Sequence, residues 1–190
     1  MISRIQAIEM ASKIQGWMRP EELGWLYDQA SNLKSVARWC EVGSWKGRSA
    51  LVVALGLPDA SALDCVDPHD SSTQRAHEEL NFPLDWITRN LQMVLKYASE
   101  LRPMVTSTHH RTTSLSCALD TQDGIYDAVF IDGAHDFDNV VADIKAWAPK
   151  VKEGGILCGH DYAHKDVRRA VQSIVSLVKK GAGSIWWTRV

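Results

Sequence analysis

The sequence predicts an α/β fold: one doubly wound, mostly parallel sheet of about six or seven strands with helices on both faces. Three observations carry that expectation. Short apolar segments alternate with helix-length stretches, which calls for crossover connections and parallel pairing. A glycine turn, Glu41-Val42-Gly43-Ser44-Trp45-Lys46-Gly47, follows the first apolar segment directly. Polar residues then stand where later segments end, at Asp67, at Asp132 and at His160-Asp161.

Residues 2–15 are expected as a first helix. Pro20-Glu21-Glu22-Leu23 opens a second, to about residue 30, with proline in the first turn and acids at the positive end of the dipole. Strands are expected at residues 36–42, 62–67, 104–107, 126–132, 155–159 and 184–190. Ile87, Leu91, Val94, Ala98 and Leu101 step by four and three, as one face of a helix does, and Val167, Ala170, Val171, Ile174, Val175 and Val178 form another such stripe. No repeat or linker divides the chain, so residues 1–190 are read as a single domain, with N-terminal helices in 1–33 and the sheet core in 34–190.

Composition argues against some partners. The formal net charge is -2, from 21 basic and 23 acidic residues, which gives no electrostatic reason to expect nucleic acid. No window approaches the roughly 18 apolar residues of a membrane span, and the first residues lack a leader's apolar region, so a cytoplasmic protein away from membranes is expected. Cys40, Cys65, Cys117 and Cys158 are far apart and read as small buried hydrophobes in a reducing compartment. Trp186 and Trp187 face opposite ways if 184–190 is a strand, which leaves one to meet a partner chain in a homo-oligomer. His69, His77, His109, His110 and His164 read as loop or surface residues.

The glycine turn is neither a phosphate loop nor a dinucleotide fingerprint, because Gly43 and Gly47 are four apart and no Gly-Lys-Ser/Thr follows. It lets the backbone pass close to a ligand. Glu41 offers a carboxylate to an ammonium group, and the N–H groups of the next helix suit a carboxylate, so a zwitterion fits better than a pyrophosphate. A turn that only tightens strand-to-helix packing is the plainer alternative. Asp67, at the tip of the second strand and about 20 residues on, suits two ribose hydroxyls, or it caps a turn before Pro68. Asp64 fits worse because it lies inside the strand.

Residues 41–49, Val66-Asp67, the run Phe130-Ile131-Asp132-Gly133-Ala134-His135 and residues 154–162 together resemble class I S-adenosylmethionine-dependent methyltransferases. The likeness is to the small branch with the cephalosporin-biosynthesis and macrolide-sugar O-methyltransferases, and Gly16-Trp17-Met18-Arg19-Pro20-Glu21-Glu22-Leu23 resembles its leading helices. The resemblance implies a Rossmann-like enzyme acting on a small molecule or sugar. Gly43, Ser44, Trp45, Gly47 and Ser49 would wrap the methionine part of S-adenosylmethionine above Glu41. Asp67 would hold the ribose, Thr113 and Ser114 would lie near the adenine, and Asp132 would border the cofactor. A non-catalytic cofactor-binding module or partner subunit is the alternative reading.

The polar strand ends bear on chemistry. In the related enzymes, positions matching Asp132, His160 and Asp161 hold a divalent metal. Imidazole at His160 departs from their oxygen donors and admits manganese, iron, cobalt or zinc beside magnesium. His135, three residues beyond Asp132, suits a general base near neutral pH if its pKa is close to the usual 6.5 or so. His160 is the second choice, and Asp132 completes the catalytic set. Plainer roles are a helix cap at His135 and a strand-to-loop bridge at His160.

Overall fold

The computed structural model describes residues 2–70 and 84–190. His77 lies outside the described residues.

Two helices lead the chain, α1 (Arg4–Ser12) and α2 (Pro20–Ser31). The core then alternates: β1 (Arg38–Val42), α3 (Arg48–Gly56), β2 (Ala62–Val66), α4 (Leu84–Leu101), β3 (Thr106–His110), α5 (Ser114–Asp120), β4 (Tyr126–Ile131), α6 (Phe137–Trp147), β5 (Val151–Gly159) and α7 (Lys165–Ile174). Short β6 (Lys179–Lys180) and β7 (Trp186–Arg189) complete the sheet. The spatial order is β3-β2-β1-β4-β5-β7-β6. The first five strands run parallel, and β7 lies antiparallel between β5 and β6. This is the expected doubly wound α/β arrangement, now with seven strands.

Apolar residues explain the layers. Leu23 and Leu26 of α2, Leu51 and Leu55 of α3 and Leu91 of α4 share one buried cluster with Trp39 and Phe130 of the sheet. On the other face, Val140, Ile144 and Trp147 of α6 join Val167 and Val171 of α7 against Val129 and Leu157. The four cysteines are free and buried: Cys40, Cys65 and Cys158 on strands, Cys117 on α5. No described helix is long and apolar enough to cross a membrane.

Several expected boundaries move. The first helix is shorter than 2–15 because Ser3 and Gln6 form a capping box that fixes its start. The third strand is Thr106–His110 rather than 104–107, since an edge strand with one free side accepts polar residues. The helical stripe expected through Val178 leaves helix after Ile174. The fifth strand begins at Val151, four residues early, and reaches its register with β4 through an irregularity. Trp186 and Trp187 lie on opposite faces of the sheet as expected: Trp186 is buried in the second cluster, and Trp187, partly buried, packs against the first beside Trp25.

The sheet order reverses between β1 and β4, the switch point where open α/β sheets bind ligands. Three strand ends are laced together beside it: Gly43, after β1, donates from its backbone N–H to Val66 O of β2 at 2.8 Å, and Asp132, after β4, to Val42 O of β1 at 2.8 Å.

Candidate active site

The turn after β1 bends through three left-handed residues, Gly43 (φ 88°), Trp45 (φ 42°) and Gly47 (φ 84°). A Cβ at Gly43 would collide with the carbonyl of Asp132, so glycine alone lets these two chains approach. Beneath the turn, Glu41 is 0% exposed. Its Oε1 accepts from the Ser49 hydroxyl at 3.0 Å, and its Oε2 has no hydrogen-bond partner among the described residues. The Ser44 hydroxyl lies near Glu41 and Cys65 and meets neither with hydrogen-bond geometry. Burial, reinforced by the Asp132 and Asp67 carboxylates, pushes Glu41 up to about 8. A buried carboxylate oxygen with no donor and no counter-charge is complementary to a cation carrying N–H groups.

Asp67, just past β2, is engaged twice by its own neighbourhood. Oδ2 accepts from the Trp45 N–H at 2.8 Å and Oδ1 from the His69 N–H at 3.0 Å. A carboxylate accepts about four hydrogen bonds, so capacity remains for two more. Both sequence readings of Asp67, turn cap and ligand acceptor, are therefore compatible. His69, expected at the surface, is 0% exposed. Its Nε2 donates to Trp45 O at 3.0 Å and burial lowers its pKa, so a neutral ring ties the two loops together. His109 donates to Asp67 O at 3.0 Å and its ring lies 5.0 Å from that of His69. Asp64 serves the sheet: it accepts from His110 Nε2 at 2.8 Å, Tyr126 Oη at 3.1 Å and Arg38 at 3.2 Å. Thr113 caps α5, and the Ser114 hydroxyl joins Asp143 at 2.5 Å and Trp147 Nε1 at 2.8 Å, so these side chains are committed to the scaffold.

Across the switch point, the ends of β4 and β5 bring Asp132, His135, His160 and Asp161 together. His135 Nε2 lies 2.8 Å from Asp161 Oδ2 and 3.9 Å from Asp132 Oδ1. His160 Nδ1 lies 3.3 Å from Asp161 Oδ2 and 3.8 Å from Asp132 Oδ1. Asp161 reaches both rings from a left-handed backbone, φ 54°. The Asp132 and Asp161 carboxylates push His135 up to about 10, Asp161 being the nearer. Burial opposes the charging of His160, yet Asp161, Asp132 and Glu22 raise it to about 9. The two rings hold Asp161 well below the usual carboxylate range. The ordinary imidazole pKa expected at His135 is thus corrected: with acids around it and no metal bound, the ring is cationic at neutral pH.

Asp132, His135 and Asp161 each offer one donor atom, and these lie within 4.8 Å of one another. His135 joins Asp132 and Asp161 in this group, and His160, expected from the sequence beside them, places Nδ1 next to the same two carboxylates. Two carboxylate oxygens and one imidazole suit manganese, iron, cobalt or zinc better than magnesium.

No curated protein sequence matches the chain significantly. The family described as "Methyltransferase domain" matches residues 40–162, which run from β1 to just beyond Asp161. The chain belongs to this methyltransferase family. Its fold is shared with solved structures at low identity. Cofactor-bound Rv0187 from MTB is 16% identical with a TM-score of 0.68, over 98% of this chain and 87% of that one. The O-methyltransferase from Bacillus cereus in complex with SAH is 15% identical with a TM-score of 0.63, over 98% and 89%. The SAH-bound Podospora anserina methyltransferase PaMTH1 is 11% identical with a TM-score of 0.67, over 98% and 86%.

Some residues around this candidate site carry little sequence signal. Glu22, outside the matched span, is 1% exposed and places Oε1 3.2 Å from His160 Nε2. Only its place in the first turn of α2 was legible. Lys46 is buried within the glycine turn, with Nζ donating to Gln15 at 2.7 Å and lying 4.2 Å and 4.4 Å from the Trp45 and Trp86 ring centres. Trp17 stacks on Trp45 with ring centres 4.6 Å apart.

Proposed function

We propose that the chain transfers a methyl group from S-adenosylmethionine to a hydroxyl of a small molecule or sugar, with a divalent cation between β4 and β5. The observation that carries the cofactor reading is Glu41, wholly buried at the switch point of a methyltransferase-family sheet with one oxygen lacking a donor. S-adenosylmethionine, when bound, supplies a methyl group on a positively charged sulfur with a neutral leaving group. Glu41 and the Ser44 hydroxyl would receive its ammonium, while Gly43, Trp45, Gly47 and Ser49 form the turn around the methionine part. Asp67 keeps acceptor capacity for two ribose hydroxyls, and Thr113 and Ser114 open α5 on the adenine side. The SAH complexes of two structures with this fold support the same ligand class.

A divalent cation, when bound, lowers the pKa of an acceptor hydroxyl. Asp132 and Asp161 would hold it together with one imidazole, either His135 or His160, both of which face these carboxylates. The other ring is left to remove the hydroxyl proton, His135 being the first choice for that base and His160 the second. Each ring accepts that proton only after its own has left, which ties turnover to pH. Holding acceptor and methyl donor in line supplies much of the remaining acceleration.

Calorimetric titration with S-adenosylhomocysteine, followed by transfer from methyl-labelled S-adenosylmethionine to a panel of hydroxylated acceptors, tests the proposal. Binding and labelled product are expected. Absence of heat at high micromolar ligand overturns the cofactor reading. Binding without product across the panel favours a non-catalytic module.

A further inference from the structure

We infer that Glu22 is a positioning residue: by holding the Nε2 edge of His160, it turns Nδ1 of that ring toward Asp132 and Asp161 as the nitrogen available to a divalent cation. The inference rests on the cation reading above and adds a residue to it from outside the sheet.

The Glu22 carboxylate is fixed on several sides. Oε2 accepts from the Arg19 N–H at 2.7 Å, completing the cap of α2. Oε1 accepts from the Ser184 N–H at 2.8 Å and lies 3.2 Å from His160 Nε2. A Cβ at Gly183 would collide with this carboxylate, and Gly183 sits at φ 54°, so the loop before β7 is shaped around it. Ser184 also holds the exit of β5, accepting from the N–H of Tyr162 at 2.8 Å through its carbonyl and of Ala163 at 3.0 Å through its hydroxyl.

His160 is 8% exposed, and its own N–H donates to Ile131 O at 3.1 Å, so its backbone is tied to β4. Its ring lies between two acidic groups, with Glu22 at Nε2 and the Asp132–Asp161 pair at Nδ1. The Nε2 contact is short but not aligned as a hydrogen bond, and Nε2 has no other polar partner among the described residues. A neutral imidazole carries its proton on one nitrogen and a lone pair on the other. Acids at both edges keep protons on both nitrogens until a cation enters between Asp132 and Asp161; the cation then takes the place of the Nδ1 proton, and the fixed anion at Nε2 keeps the remaining proton there. Carboxylates that hold the far nitrogen of a ligating histidine act this way, and losing one typically weakens metal binding about 10- to 100-fold. A carboxylate serving only to cap α2 would need neither His160 nor a burial this deep.

The full chain, labelled with 15N-histidine, is titrated with zinc(II) alone and read by nitrogen NMR, with His160→Ala assigning the signals. The expected result is one histidine with a protonated Nε2 and a zinc-shifted Nδ1 that disappears in His160→Ala. In Glu22→Gln, zinc affinity is expected to fall about 10- to 100-fold, with far-ultraviolet dichroism and S-adenosylhomocysteine binding retained. The wild-type spectrum stands by itself if that variant does not fold. Zinc binding with His160 protonated on Nδ1, or with His160 signals unmoved, overturns the role of Glu22 and leaves the cation reading standing. No zinc binding by the wild type overturns both.

Discussion

The Nε2 nitrogen of His135 stands 2.8 Å from Oδ2 of Asp161, on a backbone that reaches that position only through a left-handed turn at Asp161. The pair joins the exits of β4 and β5 and makes the imidazole a stronger base than a free histidine, at the cost of keeping it protonated near pH 7.

Turnover without added metal should therefore climb with pH. With His135 near 10, the unprotonated fraction grows about tenfold per pH unit below that value. A kcat/KM profile for labelled methyl transfer should rise steadily from neutrality to alkaline pH. A plateau beginning near pH 7 would rule out this base. His135→Ala should lower kcat by about 10²-fold or more.

Stability should follow the same groups. His135 and His160 are raised from 6.5 to about 10 and about 9, so their contribution is complete below 6.5 and fades as pH climbs through those values. Asp161 is lowered from 3.8, so its contribution is present above 3.8 and fades as acid protonates it. In chelator, the melting-temperature deficit of Asp161→Asn should be greatest at pH 5 to 6.5, by about these linkage limits, and shrink in strong alkali. A deficit independent of pH would contradict the ion pairs.

Ligand binding should release a proton from Glu41. At about 8, that carboxyl is mostly protonated at neutral pH, and an arriving ammonium requires it charged. Calorimetry with S-adenosylhomocysteine at pH 7 in buffers of different ionisation enthalpy should report loss of about one proton, vanishing by about pH 9. Glu41→Gln should abolish the release and weaken binding roughly tenfold or more. An unchanged buffer dependence in the variant would refute the contact.

Gly43→Ala should lose both fold stability and ligand affinity. The new methyl group meets the Asp132 carbonyl at a φ of 88° that side chains rarely adopt, so the loss should exceed about 1 kcal/mol. Urea denaturation measures it, and a neutral result would mean the turn relaxes freely.

The sheet was legible because Val42, Val66 and Ile131 end apolar runs, and one glycine turn fixes where they converge. Asp67, Asp132 and Asp161 were legible as strand-end acids for the same reason. The bounds of the polar third strand were not, since edge strands lack the apolar pattern that marks buried ones. His69 and Glu22 were missed because their roles arise from contacts between distant loops, and no spacing announces such contacts. The raised pKa of His135 was missed because it depends on how close Asp132 and Asp161 come, and Asp161 arrives through a left-handed backbone that no pattern announces.

The bond from Ser184 to Glu22 joins residues 162 apart in sequence. The loop before β7 must therefore be in place before the carboxylate of α2 is held beside His160. The rim of the site thus closes only when segments from distant parts of the chain have met, and a change in either segment reaches the chemistry without touching the sheet.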